Sequence, residues 1–398
     1  MVPYVLGRDG LDGSVERRAQ VTVGLGPKSI AFVLGTRPEM IKVAPLVKLF
    51  GEQARVVHTG QHYDEQLSGQ FLAELGIGRP DLLLEIGGRS RGTQIGDATT
   101  RLEAAFYSEP PAVVVVHGDT NATMAGALAA NATNIPLVHL EAGLRSFDRA
   151  MPEEHNRVVA DHLADLCLAP TETNRANLAA EGIGGDKVIL TGNTVVDAVQ
   201  SLLPGPNERA AVLCQHDLEP SQFVLATFHR PENVDDPDTL AVILSELAAA
   251  PMPVVLPLHP RTRAKVASFG LEGLLKPLRV AEPMGYREFL ALAAESALLV
   301  SDSGGVQEEA SIIKRPVLVV RNSTERPEIL GTFAQLVPPG PLITTWIGQL
   351  LTDIPGLHAR LSAMPSPYGD GTSAPRSAAA ISILLSRPST TRRPGQRV

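Results

Sequence analysis

The chain has 398 residues, 44% of them hydrophobic and only 4% aromatic, enough aliphatic material for two cores rather than one. A formal charge of -8 argues against a general nucleic-acid grip, which needs a basic face, but leaves room for a local cationic pocket. The cysteines Cys167 and Cys214 have no CxxC spacing, so neither a zinc site nor a disulfide framework is expected and a cytoplasmic setting fits.

Residues 1–28 lack an apolar signal core and read as a flexible extension. From there the pattern is regular. "KSIAFVLGT" is a short apolar run ending in a small-residue turn, and "PEMIKVAPLVKLF" follows with helical spacing. "ARVVHTGQH" is a second strand with a polar loop. "PAVVVVHGDT" is the clearest strand, because β-branched valine fills it. "NATMAGALAANAT" reads as a helix and "IPLVHLEAG" as a strand; "DLCLAPTETNRANLAAEGI" and "KVILTGNTVVDAV" continue the alternation.

"LLPGPNERAAVL" carries two prolines and a glycine and reads as a hinge. The alternation then restarts, through "SQFVLATFHR", "MPVVLPLHP", "ALLVSDSGG" and "RPVLVVRNS". Strands alternating with helices predict a parallel, doubly wound α/β sheet, here built twice. The expected division is a first domain over 29–202 and a second over 203–370. A helix over 371–385 packs back on the first domain, and a disordered basic tail spans 386–398. No apolar run approaches the about 20 residues of a membrane span.

Polar loops recur at the strand ends, where such sheets bind ligands. In "SDSGGVQEE", Ser303, Gly304 and Gly305 lead into a helix whose free N–H groups suit a diphosphate. Glu308 and Glu309 fall in its first turn. They either oppose the dipole or accept from ribose hydroxyls. In "HLEAGLRSFDRAMPEEHNR", Pro152 with Glu153 and Glu154 makes an ordinary helix start, and Glu153 with Arg157 accounts for a surface ion pair. Glu141 differs: it ends an apolar strand beside Gly143, where a backbone can approach a ligand. Its carboxylate is either paired with a cation, Arg145 or Arg157, or kept for acid–base work. There is no GxGxxG after the first strand and no GxxxxGK[ST], so a hydride-transfer cofactor and a P-loop nucleotide are both poor expectations.

Taken together, "GTRPEMIKVAPLV", "TGQH", "VHGDT", "EAGLRS", "PEEHNR", "PTETNRANL", "TGNTVVDA", "HRPEN", "SDSGGVQEEA" and "RPVLVVRNSTERPE" closely resemble the non-hydrolysing UDP-N-acetylglucosamine 2-epimerase family, in order from about residue 30 to about 370. The resemblance implies a GT-B-like fold, two Rossmann-like domains with the site between them. It implies interconversion of UDP-GlcNAc and UDP-ManNAc, a UDP-sugar as partner, a homodimer, and no cofactor or metal. By motif, Asp119, Glu141 and Glu153 match the family's carboxylates and His229 its histidine near the diphosphate. Arg37, Lys42 and Arg157 match its cleft cations. Ser303, Gly304 and Gly305 match the phosphate loop, Glu309 the ribose acid, Arg326 the arginine of "TERPE" and Phe289 an apolar contact for uracil. Two departures stand out. Tyr63 and Asp64 follow "QH" where members activated by UDP-GlcNAc have a basic residue and then a glutamine, so no such activation is expected. "TGQHYD" and "HRPENVD" also resemble the branch acting on modified sugars such as UDP-2,3-diacetamido-glucuronic acid.

Overall fold

Thirteen short strands, rich in valine and leucine and buried along most of their length, form two parallel sheets in the computed structural model, which describes residues 26–61 and 71–387. The first sheet holds β1 (Ile30–Leu34), β2 (Ala54–His58), β3 (Leu82–Leu83), β4 (Val113–His117), β5 (Leu137–Leu140), β6 (Leu166–Ala169) and β7 (Val188–Leu190), in the order β3-β2-β1-β4-β5-β6-β7. The second holds β8 (Val224–Thr227), β9 (Val254–Pro257), β10 (Arg279–Ala281), β11 (Leu298–Ser301), β12 (Val317–Val320) and β13 (Ala334–Val337), in the order β10-β9-β8-β11-β12-β13. Helices cover both faces, which is why the strands need no polar side.

Each order reverses once, between β1 and β4 and between β8 and β11. Such reversals open a crevice at the carboxyl ends of the strands. The loops at the first reversal are "GTRPE" and "HGDT"; those at the second are "TFHRPEN" and "SDSGG". Strand order therefore gathers the motif loops of each half.

The halves share a core. One apolar cluster runs from Phe32 and Met40 on the first sheet's side, through Val195 and Val199, to Leu290 and Leu299 on the second. The helix Ser373–Ser386 packs on the helices Arg37–Phe50 and Thr194–Leu202, so the chain returns to the first sheet's side. Separate clusters fill the outer face of each sheet.

The hinge stretch differs from its sequence reading. Most of it is the helix Pro206–Gln215, leaving only Leu203 to Gly205 as a connection between helices. Pro206 stands at the first helical position, where its missing N–H costs nothing and its fixed φ fits. Among the described residues no helix is long and apolar enough to cross a membrane. Most of the extension (1–25), the tail from 388, and Tyr63 with Asp64 lie outside the described residues.

Candidate active site

The first sheet delivers its carboxylates from loops that leave β4 and β5. Asp119 follows Gly118, which turns the chain at φ 66°. Its carboxylate pairs with Arg157 and stays partly open, with 29% of the side chain exposed. Arg157 is buried on the helix Pro152–Leu163 and holds Glu154 with its other terminal nitrogen at 2.8 Å. Asn156 on the same helix donates to the Asp119 carbonyl at 2.8 Å.

Glu141 directly follows β5 and takes a left-handed conformation, φ 66°, which a residue with a Cβ adopts only under constraint. Its carboxylate pairs with Lys42, accepts from Asn193 Nδ2 at 2.8 Å, and lies 3.8 Å from His117 Nε2 and 3.9 Å from Arg326. Burial alone would raise its pKa; Lys42, then His117 and Arg326, hold it well below the ordinary carboxylate value. Burial pushes the His117 pKa down to about 3, against the attraction of Glu141.

These contacts correct the partners read from sequence. Neither Arg145 nor Arg157 serves Glu141. Arg145 pairs with Asp161 at 2.8 Å and clamps Glu181 with two bonds of 2.7 Å. Arg157 pairs with Glu154 rather than Glu153: both spacings, i+3 and i+4, suit a pair, but Glu154 is the one turned inward, where Ser146 and the Phe147 amide also hold its carboxylate. Glu153 is exposed in the first helical turn, outside the buried ion-pair network. Gly143 faces protein rather than open space: a Cβ there would run into the carbonyl of Asn174.

The second sheet supplies a histidine and a helix start. His229, after β8, has Nδ1 at 3.2 Å from Asp302 and 39% of its side chain exposed, which leaves Nε2 for a ligand. Asp302 is buried and also accepts from the amides of His229 and Arg230 and from Asn233. The helix Gly304–Ile313 begins at Ser303, whose hydroxyl makes no capping bond. Its first N–H groups are thus uncapped by that side chain. Gly304 is tight, since a Cβ would come within 2.8 Å of the Arg326 guanidinium; around Gly305 the nearest atoms are 3.8 Å off. Glu309 is buried and accepts from Tyr286 Oη at 2.8 Å. Burial raises its pKa, against that hydrogen bond.

Lys42 joins the halves, bridging Glu141 and, at 2.6 Å, Glu308. Arg326 forms an ion pair with Glu308, its Nε at 2.8 Å, and bonds Glu325 through Nη1. Arg37 is half-buried with its guanidinium 5.4 Å over the Phe71 ring. Phe289 is half-buried against the shared core. Sequence reasoning singled out neither Asn193, His117, Asp302, Tyr286 nor Glu325, and considered Glu308 with Glu309 for the dipole or the ribose, not for Lys42. The one signal that pointed at them was their place near strand ends, at the end of β4 for His117 and in the loop or helix that follows a strand for the others.

Two Rossmann-like sheets with their switch-point loops meeting across a charged cleft define a GT-B-like protein. The family described as UDP-N-acetylglucosamine 2-epimerase matches residues 50–382. The chain is similar to the UDP-N-acetylglucosamine 2-epimerase of Methanococcus maripaludis, 41% identical over 354 residues, which span 86% of this chain and 95% of that one. It is similar also to the UDP-2,3-diacetamido-2,3-dideoxy-D-glucuronate 2-epimerase of Pseudomonas aeruginosa, 39% identical over 317 residues, 77% of this chain and 87% of that one. The crystal structure of the Methanocaldococcus jannaschii UDP-GlcNAc 2-epimerase in complex with UDP-GlcNAc and UDP aligns with TM-score 0.78 at 36% identity, over 89% of this chain and 99% of that one. The chain belongs to the UDP-N-acetylglucosamine 2-epimerase family.

Proposed function

We propose that the protein interconverts UDP-GlcNAc and UDP-ManNAc without net hydrolysis. The observation that carries this reading is the pairing of N-side carboxylates, Asp119 and Glu141, with a C-side helix start at Ser303 and an exposed His229 across one cleft. The C2 proton of the sugar is not next to a carbonyl, so a base alone is too slow. The leaving group must be stabilised as well. In elimination, a carboxylate takes the C2 proton while the C1–O bond breaks. Its electron pair leaves on the UDP oxygen, and a C1=C2 double bond forms in 2-acetamidoglucal. UDP then adds back to C1 and a proton to C2 on the other face.

Asp119, Glu141 and Glu153 serve the proton transfers. Glu153 is exposed at the helix start, and its part in this scheme rests on the motif match. His229 and Arg37 serve the diphosphate, while Lys42 and Arg157 are the buried cations of the cleft, paired with Glu141 and with Asp119. Ser303, Gly304 and Gly305 seat it on the helix N-terminus. Glu309 holds the ribose, Arg326 completes the cationic wall and Phe289 packs near uracil. The site needs no metal or redox cofactor in this scheme. The protein is read as a cytoplasmic homodimer, which sedimentation of the purified chain tests.

Incubation with UDP-GlcNAc and no acceptor is the test of the reading. UDP-ManNAc is the expected product. Free ManNAc with stoichiometric UDP defeats it in favour of a hydrolysing enzyme. The likeness to the Pseudomonas aeruginosa enzyme supports a second reading, epimerisation of a UDP-2,3-diacetamido uronate; turnover of that sugar but not of UDP-GlcNAc selects it.

A further inference from the structure

Glu141 and Glu308 come from opposite sides of the cleft, yet they share the same donors. Lys42 Nζ pairs with one oxygen of each. Asn193 Nδ2 lies 2.8 Å from Glu141 and 3.1 Å from Glu308. Arg326 reaches Glu308 at 2.8 Å and Glu141 at 3.9 Å. Glu308 is 1% exposed, buried more deeply than Glu141 or Glu309. It is the immediate neighbour of Glu309 on the helix that begins at the phosphate loop. Successive helical residues point about 100° apart. One turn of that helix therefore presents Glu309 to Tyr286 and Glu308 to Lys42.

We propose that Glu308 is a positioning residue for Glu141, holding Lys42 and Arg326 so that the catalytic carboxylate is aligned only when the nucleotide-binding helix is in place. This rests on the epimerase reading above and extends it: nucleotide seating and proton transfer are coupled through one helical turn. A buried charge that loses its partner is costly, so neither carboxylate leaves the shared cations without rearranging the other. Burial lifts the Glu308 carboxyl to about 7, against Arg326 and Lys42 and with Glu141 adding repulsion, while Glu141 is held low. Such a split is how neighbouring carboxyls take different protonation states at one pH. The groups facing Glu308 are Lys42, Asn193, Arg326 and Glu141, with Tyr286 and Tyr368 near enough to feel its charge. Its ionised form is the one that bridges Lys42 and Arg326, so the bridge weakens as pH falls through about 7.

The test is the pH profile of C2 deuterium exchange and of kcat for wild type, Glu308→Gln and Glu308→Asp, with UDP titrated calorimetrically into each. Wild type is expected to lose activity on the acid side with a limb near pH 7. Glu308→Gln loses that limb and about 10²-fold in kcat on the alkaline plateau, the scale of a displaced reacting group, while UDP affinity holds. Glu308→Asp keeps a limb with lowered kcat, and Glu39→Gln, whose parent carboxyl is also lifted to about 7, keeps it too. A Glu308→Gln enzyme with wild-type kcat and limb overturns the proposal, as does a loss of UDP affinity matching the loss of kcat. If Glu308→Gln does not fold, Glu308→Asp decides, and wild-type kcat in that variant overturns it. Absence of exchange by wild type itself defeats the epimerase reading instead.

Discussion

His139 Nδ1 lies 2.6 Å from Asp161 Oδ1, and solvent reaches neither residue. The other ring nitrogen lies 2.7 Å from the Gly118 carbonyl. The ring thus bridges the Asp161 carboxylate and the Gly118 carbonyl. The second oxygen of Asp161 accepts from the Gly143 amide at 3.1 Å and pairs with Arg145. One buried group thus ties the turn before Asp119 to the loop that carries Glu141. Burial would raise the Asp161 carboxyl, but His139 and Arg145 hold it below its ordinary value.

Asp161→Asn should therefore lower stability by about 3–5 kcal/mol, the cost of stripping one partner from a buried pair, and turnover by about 10²-fold through displaced loops. Because the folded carboxyl is depressed, its contribution is present above the ordinary pKa and lost as pH falls through the folded one. Urea unfolding and initial rates of the variant check this; values near wild type for both contradict it.

Glu153 and Glu154 are adjacent and should behave oppositely. Glu154 accepts from Ser146 N, Ser146 Oγ and Phe147 N and pairs with buried Arg157. Glu154→Gln should cost about 3–5 kcal/mol in unfolding free energy. Glu153→Gln should stay within about 0.5 kcal/mol, as exposed sites do, yet lose about 10²- to 10⁴-fold in turnover if it serves proton transfer. Equal stability losses, or a Glu153→Gln enzyme of full activity, speak against this division.

Glu39 sits in "GTRPE" with its carboxylate accepting from Gly35 N, Thr36 Oγ1 and Thr120 Oγ1, each at 2.9 Å. Burial outweighs these bonds and lifts its carboxyl from 4.5 to about 7. A raised acid favours the folded state fully below the ordinary pKa and loses that contribution as pH rises through the folded one. The loss amounts to about 3 kcal/mol. Glu39→Gln does not titrate, so its stability relative to wild type should climb with pH and level off above about 7. Unfolding curves across pH that run parallel for the two proteins contradict this.

Nucleotide binding and proton transfer should separate by sheet. Asp119→Asn and Glu141→Gln should lower turnover by about 10²- to 10⁴-fold with UDP still bound, whereas Glu309→Ala should mainly weaken UDP. Calorimetric titration of UDP into each variant distinguishes them. Carboxylate variants that lose UDP as badly as Glu309→Ala would make the N-side loops scaffolding for the cleft.

Much of this was legible in the chain. Valine runs such as Val113–Val116 announce buried parallel strands, and the loops after them carry the charged residues. What periodicity does not carry is pairing across the cleft. Lys42, Glu141 and Glu308 are far apart in sequence and meet only because both sheets turn their switch points to one another. Glu153 and Glu154 look alike in sequence, and only the rotation of one helix decides which is buried. The prolines after Leu203 read as a hinge because proline marks both turns and helix starts; Pro206 is the latter.

The account's central claim is proton exchange at C2 with the UDP bond remade. Proton NMR of UDP-GlcNAc incubated with the protein in heavy water tests it most directly. The account predicts that the C2 proton signal decays as UDP-ManNAc appears, with deuterium at C2 of the product and no accumulating free sugar. A C2 proton that persists while the protein binds UDP-GlcNAc, or release of ManNAc with stoichiometric UDP, would contradict it.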